Sequence, residues 1–107
     1  MEPYVGIVVF ELSRVGTQKS YFREDFYIVY ADTDEAASER VQALAHAQED
    51  EGDAEHGSVK VRHIVDIAPA LYGTVEKDID LYSRHFASLE DYKRFEMKLG
   101  GTNPLKD

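Results

Sequence analysis

At 107 residues, with 43% hydrophobic and 31% charged residues, the chain has the composition of one folded domain rather than of a disordered or fibrous protein. It contains no cysteine, which excludes disulfides, thiolate metal sites, iron–sulfur clusters and cysteine nucleophiles together. A net charge of -9 opposes binding to a phosphate backbone, so nucleic acid is not an expected partner. No apolar run approaches the roughly 20 residues that span a bilayer, and MEPY does not open like a signal peptide. No membrane association and a cytoplasmic location are therefore expected.

Residues 4–12, YVGIVVFEL, are apolar at nearly every position, rich in β-branched side chains and too short for a helix. They predict a central strand covered on both faces. SRVGTQKS reads as a hairpin loop. Residues 20–30, SYFREDFYIVY, follow period two, with Phe22, Phe26, Ile28 and Tyr30 on one side and Tyr21, Arg23, Asp25 and Tyr27 on the other. This is a second strand, antiparallel to the first.

In DTDE, Asp32 is the expected helix cap, with Glu35 completing a capping box. The helix runs through AASERVQALAHAQE, where Ala37, Val41, Leu44, Ala45 and Gln48 form a narrow stripe of mostly small residues suited to close packing on a sheet. Glu49, Asp50 and Glu51 oppose the macrodipole at its C-terminal end, so it should fray before Gly52. A third strand is expected at 58–68, with Val59, Val61, His63, Val65 and Ile67 on one face and Lys60, Arg62, Ile64 and Asp66 on the other. A fourth follows a longer connection, at 78–86, DIDLYSRHF. Ser88 then caps a helix that Gly100–Gly101 should stop, with a mobile tail from about 101 to 107. The expected fold over 1–107 is a single α+β domain: a four-stranded, mainly antiparallel sheet with one main helix packed on it and a C-terminal helix, in the order β-β-α-β-β-α.

The run EDFYIVYADTDEAASERVQALA, followed by a polar insert, HIVDIAPAL and DIDLYSRHF, resembles the small bacterial proteins of domain-of-unknown-function family 4288. The likeness covers residues 4 to 86 in element order and rests on Glu35-Ala36 at the helix start, Val65-Asp66 in a strand and Tyr82-Ser83-Arg84 near the end. Lys77-Asp78-Ile79-Asp80 departs from the family pattern, in which a Gly-Glu pair precedes the last strand. The resemblance implies a fold and no activity.

Chemistry-bearing groups are sparse. His46, Asp50, Asp53, His56 and His63 have no paired-histidine spacing, so no metal and no cofactor is expected. His63 and Asp66 fall on opposite strand faces, and Ser83 with His85 lacks a nucleophile elbow, so no catalytic residue is assigned. Lys60, Arg62, Tyr82 and Arg84 are interleaved with Asp66 and Asp80, which fits a solvated sheet face better than a nucleic-acid platform. The expected function is a non-enzymatic, acidic protein-interaction module, an immunity- or antitoxin-like inhibitor that presents Glu49, Asp50, Glu51, Asp53 and Glu55 to a basic protein partner. The doubly apolar first strand adds the expectation of a homodimer. The alternative is a small ligand-binding or regulatory domain with a pocket between helix and sheet lined by Tyr27, Tyr30, Tyr72 and Tyr82.

Overall fold

A computed structural model of the chain describes residues 1–16, 19–75, 78–97 and 100–101. The N-terminal apolar run becomes β1 (Glu2–Ser13), buried along most of its length. It is buried because it is the middle strand of a three-stranded antiparallel sheet, flanked by β2 (Ser20–Ala31) and β3 (Val59–Pro69). The β1–β2 register is unbroken from Glu2 opposite Ala31 to Ser13 opposite Ser20. Alternation then sends Tyr27, Val29 and Ala31 to one face and Phe22, Phe26, Ile28 and Tyr30 to the other.

The first of these faces carries α1 (Asp34–His46). Ala37, Val41 and Ala45, four residues apart, are fully buried and pack with Tyr4, Val8, Phe10 and Leu12 of β1 and Val29 and Ala31 of β2. The approach is close enough to require glycine. A Cβ on Gly6 would lie 2.6 and 2.7 Å from the two γ-carbons of Val41. Leu44 falls outside the stripe at 45% exposure, so the packed face is narrower than its spacing predicts. The cap is Thr33, whose Oγ1 accepts from the Ala36 amide at 3.1 Å. Asp32 instead sits 3.5 Å from the N-terminal ammonium. Gln48 lies beyond the helix and ties it to β2, accepting from Arg23 at 2.8 Å and donating to the Tyr27 hydroxyl.

In β3 the predicted alternation fails in the middle. Two register shifts against β1, between Ile7 and Val8 and between Val9 and Phe10, set Val59, Val61, Ile64 and Ile67 opposite the inward positions of β1. Each bulge inserts one residue and inverts the faces of the strand residues beyond it. Ile64 therefore packs against the core, whereas His63 is exposed and Val65 is 42% exposed.

The four-stranded sheet and the β-β-α-β-β-α order are overturned: the element order is β-β-α-β-α. Residues 78–86 join no ladder and run as irregular chain, attached where the Leu71 amide donates to the Leu81 carbonyl at 3.1 Å and the Tyr82 hydroxyl donates to Asp66. The segment begins at Asp78 with a left-handed φ of 60°, and its apolar alternation is weak. The bulged β3 also offers an irregular edge for pairing. Ser88 caps α2 (Leu89–Phe95) as expected, accepting from the Asp91 amide at 3.1 Å, but the helix ends at a Glu96 C-cap well before Gly100, and none of its residues is buried. Thr17–Gln18 of the expected hairpin loop, Glu76–Lys77 before the expected fourth strand, Lys98–Leu99 of the expected helix and the tail at 102–107 lie outside the described residues.

Candidate functional site: an aromatic cleft opposite the main helix

On the face away from α1, Val5 and Ile7 of β1 are each 1% exposed, yet their β2 neighbours are not covered. Phe22 and Phe26 are 60% exposed, Ile28 44% and Tyr30 41%. They form an apolar stripe along a strand whose outer edge has no partner strand among the described residues. Beside it the C-terminal segment folds over the sheet and leaves a cleft of about 630 Å3. Ile7 and Phe26 lie on the sheet side of this cleft, Tyr82, Arg84, Phe86, Tyr92 and Phe95 on the other, with Glu24 and Glu96 also in its walls.

The aromatic wall is internally packed. Phe86 meets Tyr92 edge-on at 5.1 Å and Phe95 at 5.4 Å between ring centroids. The Arg84 guanidinium lies 5.2 Å from the Phe95 centroid and 5.8 Å from that of Tyr82. Its Nη2 is buried and has no hydrogen-bond partner. Burial and the hydrogen bond to Asp66 push the Tyr82 phenol above its ordinary range, with Arg84 acting against them. The phenol is therefore a neutral donor to Asp66, and the cleft walls combine π surfaces with one guanidinium and two carboxylates.

The predicted acidic cluster is brought together at the β3 end of the sheet, but much of it serves the loop itself. Glu49 meets His46 Nδ1 at 2.8 Å and accepts from the Val61 amide at 3.0 Å, contacts that hold its carboxyl below the ordinary range. The Asp50 backbone pairs with Val59, and its carboxylate accepts from the Gly52 amide at 2.8 Å. Asp53 accepts from the amides of Glu55 and His56 at 2.7 and 2.8 Å, and these bonds lower its pKa. Glu51 and Glu55 are exposed. The loop is docked on the end of β1, where the Ser58 amide donates to Ser13 Oγ at 3.0 Å and Gly57 passes so close that a Cβ would lie 1.7 Å from the Ser13 carbonyl oxygen.

The tyrosines of the expected pocket are not gathered into one cavity. Tyr27 lies on the α1 side, bonded to Gln48; Tyr30 stands on the opposite face; Tyr72 lines a hollow beside Pro3 and Gly73; only Tyr82 enters the aromatic cleft. His46 and His56 pair with Glu49 and Asp53, and His63 and His85 are exposed. Among the described residues no three His, Asp or Glu side chains group as a metal ion would require. The sequence reading missed Phe86, Tyr92 and Phe95 as cleft walls. Tyr92 and Phe95 are the aromatic residues of the last helix, LEDYKRF, and Phe86 closes the segment DIDLYSRHF just before it.

Fold and cleft together define a small α+β protein whose sheet is closed on one face by a helix and partly open on the other. Among the described residues no helix is long and apolar enough to cross a membrane. Residues 3–83 match the model of a domain of unknown function, DUF4288, and the chain belongs to that family. No curated protein and no solved structure shows a significant match. The family match spans the sheet, α1 and Tyr82, whereas Arg84, Phe86, Tyr92 and Phe95 lie beyond it.

Proposed function

We propose that this protein is a non-enzymatic interaction module that works as a homodimer and presents an acidic surface to a basic protein partner, in the manner of an immunity- or antitoxin-like inhibitor. The observation that carries this reading is the open β2 edge with Phe22, Phe26, Ile28 and Tyr30 exposed beside it. At about 200 Å2 for a full side chain of this kind, their exposures leave roughly 400 Å2 of apolar surface per chain, a large share of the roughly 800 Å2 a partner contributes to a stable interface. Antiparallel pairing of two β2 strands about Phe26 would set Phe26 against Phe26 and Phe22 against Tyr30, and the backbone edge would supply the remaining contact. Such a register is self-complementary, as a two-fold interface must be.

A net charge of -9 on each chain supports the basic partner. The acids available for it are Glu51 and Glu55 rather than all of the cluster, because Glu49, Asp50 and Asp53 are engaged in the loop. The reading is tested in two stages. Sedimentation should give a dimer for the wild type and a monomer for Phe26→Glu. A basic protein that co-purifies with the dimer should release with salt and bind the Glu51→Gln, Glu55→Gln variant more weakly. Binding indifferent to both salt and these substitutions would remove the acidic surface from the function.

A further inference from the structure

We propose that the cleft between β2 and residues 82–96 is a binding site for a small organic cation, an ammonium carried on an aromatic or aliphatic body, with Phe26 as its ring partner and Glu24 as its counter-charge. The proposal rests neither on the dimer nor on the acidic loop. Glu24 and Phe26 lie two residues apart on β2, so alternation sends both side chains to the open face, where both line the cleft. The Glu24 carboxylate is exposed and has no hydrogen-bond or ion-pair partner among the described residues. Phe26, at 60% exposure, meets no other ring and no guanidinium among them either. A carboxylate and a ring face are thus held side by side on a regular strand, and nothing within the chain uses them.

The opposite wall shows what such surfaces attract. Arg84 lies 5.2 Å from the Phe95 centroid and 5.8 Å from that of Tyr82, is hydrogen-bonded to the Tyr82 hydroxyl, and has its Nη2 withdrawn from solvent. Its guanidinium is engaged within its own wall, and the carboxylates of Glu24 and Glu96 outnumber it in the lining. Ring faces carry negative potential, so a cation between a ring and a carboxylate is attracted by both. Ile7 and Phe86 add apolar surface for the body of the ligand, and a volume of about 630 Å3 falls in the ordinary range for small-molecule sites, roughly 300–1,000 Å3. The net charge of -9 adds a long-range attraction for cations and a repulsion for anions. An apolar body with one positive charge therefore suits the cleft better than an anion, and better than a bare metal ion, for which the described residues group no three His, Asp or Glu ligands.

The test uses the whole chain in calorimetric titration and thermal unfolding at low ionic strength. Phenethylamine should bind saturably and raise the unfolding temperature, whereas 2-phenylethanol, which keeps the ring and lacks the charge, and 3-phenylpropionate, which reverses it, should bind at least about fivefold more weakly. Glu24→Gln should weaken phenethylamine by about two- to fivefold, the share of an exposed ion pair, and leave 2-phenylethanol unchanged. Glu39→Gln, which removes an exposed carboxylate from α1 on the other side of the sheet, should leave both unchanged. Phe95, at 55% exposure, can be replaced with little risk to the fold, and Phe95→Ala should weaken both ligands alike. If Glu24→Gln does not fold, Phe95→Ala and the comparison of phenethylamine with 2-phenylethanol decide the matter alone. Tighter binding of Nα-acetyl-lysine methylamide than of phenethylamine would support the site with a lysine side chain as the source of the ammonium, and the reverse order would support it with a free amine. Absence of saturable binding by every ammonium, equal binding of 2-phenylethanol, or equal losses in Glu24→Gln and Glu39→Gln overturns the proposal.

Discussion

On the α1 side of the sheet, Ala37, Val41 and Ala45 lie flush against β1, with Gly6 leaving no room for even one carbon. On the other side Val5 and Ile7 are as deeply buried, but Phe22 and Phe26 beside them are 60% exposed and the aromatic C-terminal segment leaves a cleft. Small side chains at helical spacing pack to near-crystalline density and leave nothing to bind. Long rings held at their edges leave space between them. Packing is closed by α1 on one face of this sheet and left partly open on the other.

Substitutions on the two faces should therefore differ in kind. The largest loss is expected from Gly6→Ala, whose added methyl collides with Val41; overpacking of this sort costs about 1–3 kcal/mol and should lower the urea midpoint without changing the slope. Thr33→Ala should cost about 1 kcal/mol through loss of the α1 cap, and Asp32→Ala distinctly less, a pair readable by thermal unfolding. On the binding face, Phe22→Ser should move monomer stability by no more than about 0.5 kcal/mol, because the ring is already largely in water.

The smallest effect concerns the acidic loop and depends on pH. Amide donors from Glu55 and His56 lower the Asp53 pKa in the folded state, so the stability it contributes is present above the ordinary carboxylate range and is lost as pH falls through the lowered value. Asp53→Asn should then be slightly less stable than the wild type near neutral pH, with the difference closing in acid. A difference that widened in acid would mean that the carboxylate is not the hydrogen-bonded form in the fold.

Some of this was legible in the sequence because it is local. The doubly apolar YVGIVVFEL run marked the central strand, period two in SYFREDFYIVY placed the exposed stripe on one face of β2, and the strand–helix–strand motifs carried the family. What escaped depends on contacts between distant segments. Bulges in β3 are paired against β1 and leave no mark in the alternation, so Ile64 and His63 exchanged faces. Asp32 and Thr33 are both competent caps, and the role falls to Thr33, whose extended backbone sets its Oγ1 against the Ala36 amide while Asp32 lies beside the N-terminal ammonium. DIDLYSRHF contains enough β-formers to resemble a strand, but it is tethered through Leu81 and the Tyr82 side chain to the preceding segment instead of along a ladder. Arg84 was visible beside Tyr82 and Phe86, yet its approach to Phe95, with Phe26 across the cleft, is a tertiary fact that no local pattern encodes.

The separation of a closed, stabilising face from an open, binding one is tested most directly by sedimentation equilibrium of the wild type and Phe26→Glu, with circular dichroism on the same samples. A dimeric wild type and a monomeric, fully folded Phe26→Glu would place the working surface on the open face. A wild type that stays monomeric up to its solubility limit, or a Phe26→Glu chain that unfolds, would contradict it.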